Sequence, residues 1–422
     1  MGCSKNLVDS ELIMSKFAAG GWDIEFDAEM AGQEVVIVNT CGFINDSKQE
    51  SVDVLLEYAK AKEKGRIGKL CIIGCLSERY KDELIAEFPE ADLVFGVNAI
   101  DRISSAFDLE NVQCAKDSRY ISTPSHYAYL KISEGCNRSC SFCVIPQIRG
   151  RHVSRPIDSL AREASILAEQ GVKELILVAQ DLTWYGHDLY GKSMLTELLK
   201  NLQTLPGIEW IRLHYAFPVD FPEDLLDIIR ESEKICKYLD IPLQHISDNV
   251  LKIMRRGLNK NKTTSLLNKI RKRVPGIAIR TTFLTGHPGE TENDFLELKE
   301  FVRNSKFERL GVFKYSHEEN SFAFMNYKDE VTREEKARRL SEIMHIQQEI
   351  SASVNKGKIG KVFRVLIDRR DDEFFYGRTE FDSPEVDNEV LIRNNGSMRQ
   401  GEFYMIKITG ADEFDLYGEL TE

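Results

Sequence analysis

Apolar positions change period along the chain, and each change marks an element. From Leu7 to Ala19 they recur at helical spacing. Val35-Val36-Ile37-Val38 is a short β-branched run, as a buried parallel strand is, and Leu70-Cys71-Ile72-Ile73 is the next strand. Helices are expected over Ser47–Lys64 and Ser77–Phe88, and Leu93–Val97 closes the pattern. Strands alternating with helices predict an open α/β sheet domain over residues 1–110. Asn111–Ser125 is polar, carries Pro124 and reads as a linker.

The next block, residues 126–356, holds six strand patterns: Tyr127–Ile132, Glu174–Ala179, Glu209–Tyr215, Tyr238–Leu243, Ala278–Leu284 and Arg309–Tyr315. Helical patterns stand between them at Ile157–Gln170, Met194–Leu205, Pro222–Ser232, Thr263–Arg273 and Glu292–Asn304. Six βα units predict a partial TIM barrel, with its chemistry at the C-terminal ends of the strands. Thr332 to Asn355 reads as a long amphipathic helix with Leu340, Ile343, Ile350 and Val354 on one stripe, capped by Thr332 and packed on the barrel. Residues 357–422 show four short strands, Lys361–Asp368, Phe374–Thr379, Asn388–Ile392 and Phe403–Ile408, which predict a small antiparallel β-barrel. The fold class is therefore α/β with a terminal all-β domain.

At 42% hydrophobic and 29% charged residues, this composition is that of a globular chain rather than a disordered one. A net charge of −12 disfavours general attraction to nucleic acid and suits a basic protein partner. No run is apolar enough to span a membrane, and Met1-Gly2-Cys3-Ser4-Lys5-Asn6 has no signal-peptide core, so a cytoplasmic location is expected. Nine cysteines in such a chain point to metal or catalysis rather than disulfides.

Cys136-Asn-Arg-Ser-Cys140-Ser-Phe-Cys143 places three thiols within eight residues, just after the first barrel strand. Three such thiolates can hold one iron–sulfur cluster, and three ligands for four irons leave one iron open, as a catalytic centre requires. The competing readings are zinc, which has no fourth ligand at a set spacing here, and plain buried thiols. Cys41 and Cys75 each follow a predicted strand, and parallel strands bring such ends to one edge. With Cys3 they make a second candidate trio, although a lone cysteine is more often a core residue. Cys71, Cys114 and Cys236 match no motif; Cys71 lies on a strand and Cys236 before one.

The Cys136–Cys143 run, with Tyr129-Leu130-Lys131-Ile132 before it and six βα units around it, resembles the radical S-adenosylmethionine (SAM) enzymes. With Gly2-Cys3-Ser4-Lys5-Asn6, Asn39-Thr40-Cys41-Gly42-Phe43, Gly74-Cys75-Leu76 and the terminal barrel, the likeness covers the whole chain and narrows to the methylthiotransferases. It implies two 4Fe–4S clusters, one on Cys136, Cys140 and Cys143 and one on Cys3, Cys41 and Cys75, and a terminal TRAM domain. It also implies two uses of SAM, one as methyl donor to a sulfur at the second cluster and one as source of a 5′-deoxyadenosyl radical. The radical takes hydrogen from an unactivated C–H bond, which no side-chain base can deprotonate. The family pattern has a strand ahead of its first cysteine; here Cys3 is the third residue and is expected at a loose terminus.

Polar residues at predicted strand ends are candidates for SAM or substrate contact: Gln180 and Asp181, Arg212 and His214, Gln244 and His245, and Arg280 with Thr282. Thr285-Gly286-His287-Pro288-Gly289-Glu290 resembles the family's glycine-rich stretch near the adenosine, and Phe142 its adenine-side aromatic. A hydrogen-bonded rim residue is the alternative at each position. His317 and His345 read as surface residues.

The wording Gly2 to Glu11 is nearest the branch that modifies the β-carbon of an aspartate in small-subunit ribosomal protein twelve; other branches modify transfer RNA. Residues 357–422 carry 9 Lys/Arg and 15 Asp/Glu, a net of −6, which disfavours RNA and suits that basic protein. Asp371-Asp372-Glu373-Phe374-Phe375-Tyr376 is a candidate acidic docking segment or a solvated turn. A sulfur donor and an electron donor are implied as further partners. A transfer RNA adenosine methylthiotransferase and a non-catalytic iron–sulfur redox sensor remain the competing functions.

Overall fold

A computed structural model describes residues 2–28, 31–112 and 119–421. Cys114 lies outside the described residues. In the first domain, strands Val35–Thr40, Lys69–Gly74 and Leu93–Val94 form a parallel sheet in chain order, with Thr40 in register with Gly74. Leu70 to Ile73 is buried throughout, as its unbroken apolar run requires. Helices Ser4–Ala19 and Asn45–Glu63 flank the sheet. The single helix expected over Ser77–Phe88 is two, Cys75–Arg79 and Lys81–Glu87. Tyr80 breaks it at φ −131°, where its hydroxyl reaches Glu319 of the next domain at 3.2 Å.

Six parallel strands then stand side by side in sequence order: Tyr127–Lys131, Glu174–Val178, Trp210–Leu213, Ile235–Asp240, Ala278–Thr285 and Arg309–Lys314. Leu175 and Leu177 turn out to the helices that cover the sheet, while Ile176 and Val178 turn in. The fourth strand starts three residues before the expected Tyr238, so Cys236 is a buried strand residue and not a preceding one. Thr332 caps the long helix Arg333–Lys356 by accepting the Glu335 N–H at 3.2 Å, and Ile343 buries that helix in the barrel core.

The terminal domain is a closed five-stranded barrel, Val362–Arg370, Phe374–Thr379, Val390–Arg393, Phe403–Ala411 and Leu416–Leu420. Its fifth strand was not evident in the sequence. It pairs parallel with Val390–Arg393, so the barrel is not wholly antiparallel. Gly418 interrupts its pattern because a Cβ there would meet Ile406 Cγ2 at 2.4 Å. In the Asp371–Tyr376 segment Asp371 accepts from Glu373, Phe374 and Tyr376, the strand begins at Phe374, and Phe375 is buried in the barrel core.

This small barrel packs into the concave face of the large one through buried ion pairs. Arg378 bonds Asp368 at 2.6 Å and Glu174 at 2.7 Å, and Glu174 also holds Arg212 at 2.7 Å. Arg309 pairs with Asp382, and Asp387 takes Arg280 at 2.5 Å and the Tyr238 hydroxyl at 2.8 Å. Burial pushes the Asp382 carboxyl up, but Arg309 and Lys358 outweigh burial and hold it at about 2, below its ordinary 3.8. The folded value is the lower one, so this stability is present above the ordinary value and is lost as pH falls towards about 2. Asp382→Asn is expected to cost about 2 kcal/mol at neutral pH and to flatten the loss between about pH 5 and about pH 2. Denaturant melts across that range, on wild type and variant, check both.

Candidate active site with two cysteine trios

The first trio sits on the loop after the first barrel strand. A short pairing of Ser133–Glu134 with Val153–Ser154 closes that loop, and Cys136 N–H donates to Gly150 O at 3.1 Å. Gly135 has φ +75° and leaves no room for a side chain, since a Cβ would meet Arg151 O at 2.1 Å. Inside the run, Ser141 N–H donates to Met254 O at 2.9 Å, and Ser141 Oγ meets His287 Nε2 at 3.2 Å. Donors also point at the sulfurs: Arg138 N–H at Cys136 Sγ and Arg256 Nη1 at Cys140 Sγ, both 3.4 Å. Burial pushes the Cys136 thiol up to about 11 and Cys143 to about 12. Thiols so buried become thiolates at neutral pH only when a metal takes the proton's place.

The second trio forms where the expected strand ends meet. The Thr40–Gly74 register sets Cys41 beside Cys75, and Cys3 comes to them on the first turn of helix Ser4–Ala19. Cys3 is not at a loose terminus. It is the N-cap of that helix, Leu7 N–H donates to its carbonyl at 3.0 Å, and Lys5, Asn6 and Val8 are buried. Asn6 makes the joint: its Nδ2 donates to Thr40 O at 3.1 Å, and Asn39 Nδ2 donates to Asn6 O at 2.9 Å. Cys75 Sγ lies 3.7 Å from Asn6 Oδ1. Burial raises Cys41 and takes Cys75 to about 11. At Cys3 burial also raises, but the charges of Lys5 and Arg149 outweigh it and the thiol is lowered.

Helix Ile145–Arg149 joins the trios. It leaves directly from the Cys143 loop, is about 7.5 Å long, and ends on Arg149. Arg149 bonds Asn6 Oδ1, Asp9 at 3.1 Å and Glu134 at 2.9 Å. Lys131 pairs with Asp9 and, at 2.7 Å, with Glu134, which also accepts from Gln180 Nε2 at 2.9 Å. Burial raises the Glu134 carboxyl, but Lys131 and Arg149 outweigh it and hold it at about 2, so it stays ionised. Cys75 packs on Val144 and Ile148 of this segment. Asn6, Asp9, Glu134, Arg149 and Arg256 were not singled out from the sequence. The one available signal was that Asn6 and Asp9 fall one and two turns past Cys3 on a helix.

The remaining predicted residues divide. Phe142 packs beside the glycine-rich turn, its ring 6.4 Å from His287. Gln180 is at the rim, bonded to Glu134, with a buried Oε1 that has no partner among the described residues. Asp181 holds Arg138 at 2.7 Å and caps the turn Leu182–Trp184. Gln244, at φ +74°, bridges to the fifth strand: its N–H goes to Thr282 O, and its carbonyl accepts from Leu284. In the turn itself, Glu290 accepts the N–H groups of Gly286 and His287 and pairs with Arg339 at 2.9 Å. Its carboxyl is raised to about 6 by burial. Gly286 (φ +78°) lies against Lys336 of the long helix, where a Cβ would be 2.2 Å from Cγ, and Gly289 has φ +83°. Arg212 and Arg280 are not brought to this group. Both point into the barrel and bond the terminal domain, as does His214 through Ser383 at 2.9 Å.

Both trios fit iron–sulfur clusters by their donor sets: three buried or half-buried thiols each, with cations or N–H donors facing the sulfurs. Among the described residues no three His, Cys, Asp or Glu side chains close on a single ion position; a cluster gives each thiolate its own iron, so its ligands stand apart.

A six-stranded parallel partial barrel with a three-cysteine loop after its first strand defines a radical SAM enzyme. The radical SAM superfamily pattern matches residues 130–302, the TRAM domain residues 359–421, and an uncharacterised protein family, UPF0004, residues 1–96. A solved radical SAM methyltransferase, TsrM of Kitasatospora setae, shares the fold at TM-score 0.52 and 14% identity, over 74% of this chain and 72% of its own. The ribosomal protein uS12 methylthiotransferase RimO of Parabacteroides distasonis is 51% identical over 421 residues, 100% of this chain and 97% of its own length. That of Flavobacterium johnsoniae is 52% identical over 421 residues, 99% of this chain and 96% of its own. The chain belongs to the RimO family.

Replacing Cys136, Cys140 and Cys143 together with Ala is expected to leave about half of the iron, held by the other trio, and the converse for Cys3, Cys41 and Cys75. Iron and sulfide analysis with electron paramagnetic resonance of anaerobically prepared protein reads this. Full iron in either triple variant would contradict the assignment.

Proposed function

We propose that this chain is a radical SAM methylthiotransferase that adds a methylthio group to the β-carbon of an aspartate in small-subunit ribosomal protein uS12. The carrying observation is the meeting of two cysteine trios across helix Ile145–Arg149, in a chain half identical to RimO proteins along its whole length. Cys136, Cys140 and Cys143 would hold one 4Fe–4S cluster, and Cys3, Cys41 and Cys75 the other. With two SAM bound, the first would supply radical chemistry on one side and the second a methylthio source on the other.

The chain's own side chains do the rest. The Arg138 backbone N–H and the Arg256 guanidinium face sulfurs of the first trio, and Lys5 and Arg149 offset negative charge at the second. The Arg149–Glu134–Asp9–Lys131 network keeps the two trios at one separation, so that one substrate carbon can lie between them. Phe142, Gln180, Asp181, Gln244 and the Gly286–Gly289–Glu290 turn form the SAM-side wall. Arg212 and Arg280, taken from the sequence as part of that wall, serve the terminal domain's attachment instead.

Net charge of −12, and −6 in the terminal domain, supports a basic protein substrate over an RNA. No helix among the described residues is long and apolar enough to cross a membrane, and we place the enzyme in the cytoplasm with a separate sulfur donor and electron donor. Mass spectrometry of uS12 from cells with and without the enzyme is expected to show a methylthio group that disappears on deletion. An unchanged uS12 with loss of methylthio from transfer RNA would reverse the substrate assignment, and iron without any SAM cleavage would favour a redox sensor.

A further inference from the structure

Most cations around the two trios are matched by an internal carboxylate. Arg149 has Asp9 and Glu134, Lys131 has the same two, and Arg138 has Asp181. Arg256 faces the Cys140 sulfur and the Pro242 carbonyl. Lys5 differs. It is two residues past Cys3 on the first helical turn and only 8% exposed, and its ammonium lies 3.4 Å from the centroid of the Tyr215 ring. Among the described residues no carboxylate comes within 4.0 Å of it. An ammonium has three donors, and a ring face satisfies them poorly. Burying a cation is unfavourable unless an anion joins it.

Tyr215 belongs to the other domain. It follows the third barrel strand, at the end where barrel chemistry sits, and takes φ +62°, a conformation rare for a residue with a side chain. Asp240 holds it there by accepting its N–H at 3.0 Å. Backbone strain kept in this way by surrounding contacts is a mark of functional positions. Here it aims the ring at the helix that carries Cys3, so the ammonium lies where the second trio meets the mouth of the barrel.

We propose that Lys5, held by Tyr215, is the anchor for the carboxylate of the substrate aspartate. The reading rests on the proposed function and deepens it. The β-carbon of an aspartate is one bond from its carboxyl carbon, so fixing the carboxylate on Lys5 also fixes the C–H that must react. Lys5 faces the charge of the Cys3 sulfur but has no carboxylate partner among the described residues; an incoming carboxylate supplies one, and a neutral base of RNA does not. Lys5 thereby acts as a specificity determinant, and Tyr215 as the positioning residue for it.

The test is a double-mutant cycle across the interface, with iron-loaded holoenzyme without reductant and a synthetic uS12 peptide carrying either the target Asp or Asn in its place. Wild type is expected to bind the Asp peptide about tenfold or more tightly than the Asn peptide. In Lys5→Met the ratio should fall to about twofold or less, while Lys5→Arg keeps most of it. Tyr215→Leu, which leaves the charge and removes the ring, should reduce it partly. Equal affinities for wild type, a measurement that needs no variant, would overturn the proposal. So would an undiminished ratio in Lys5→Met carrying wild-type iron. Should Lys5→Met lose iron, the Tyr215→Leu ratio decides: unchanged, it overturns the anchor. Binding of neither peptide would instead overturn the functional reading beneath it.

Discussion

The contact of Arg149 with Asn6 is the joint on which the rest of the site depends. Arg149 stands at the end of the short helix that leaves the Cys136–Cys143 loop, and Asn6 ties the Cys3 helix to the strand end that carries Cys41. One guanidinium therefore connects both trios. Its remaining donors meet Asp9 and Glu134, and Lys131 completes a four-charge cluster in which every member has an opposite partner. Such a cluster is a weak source of net stability but a strong source of geometry, because breaking one partner leaves the other buried and unmatched. For a reaction in which a carbon radical must meet a sulfur on the next centre, geometry is the scarcer requirement.

A second ionic layer works at the opposite face of the barrel. Glu174, Arg212, Arg280 and Arg309 point inward from four different strands, and the terminal domain answers with Arg378, Asp387 and Asp382. A partial barrel of six strands leaves its interior open, and here a domain with a core of its own fills part of it. The terminal domain is thus attached by charge matching rather than by a large shared apolar core; Leu366 joining Trp210 and Tyr238 is the modest apolar part.

How the residues at the barrel mouth divide follows from period-two geometry and depth. Gln180 and Asp181 lie past the end of their strand and reach the rim. Arg212 and Arg280 lie inside theirs, so the same inward direction takes them to the interior and to the terminal domain. Strand ends were legible to within a few residues, and depth along the strand was not, because it depends on where each strand leaves the sheet. Tyr80 shows the same limit in a helix: its sequence continues the pattern, and a contact with Glu319 of another domain ends it.

By itself the sequence determined the three-part order of the chain, the six barrel strands, the capped helix at Thr332, the close spacing of Cys136, Cys140 and Cys143, and the place of Cys41 and Cys75 at strand ends. Each of these is local: a period, a cap or a spacing of thiols against strand ends. Tertiary structure alone decided what Cys3 is, since a residue near the chain start becomes a fixed helix cap only when Lys5, Asn6 and Asp9 find partners across a domain boundary. It also decided the Arg149 joint, whose partners Asn6 and Arg149 are 143 residues apart. Hydrogen-bond and charge partners at that distance are chosen by how domains dock, and docking is the sum of many surfaces that no single stretch of sequence contains.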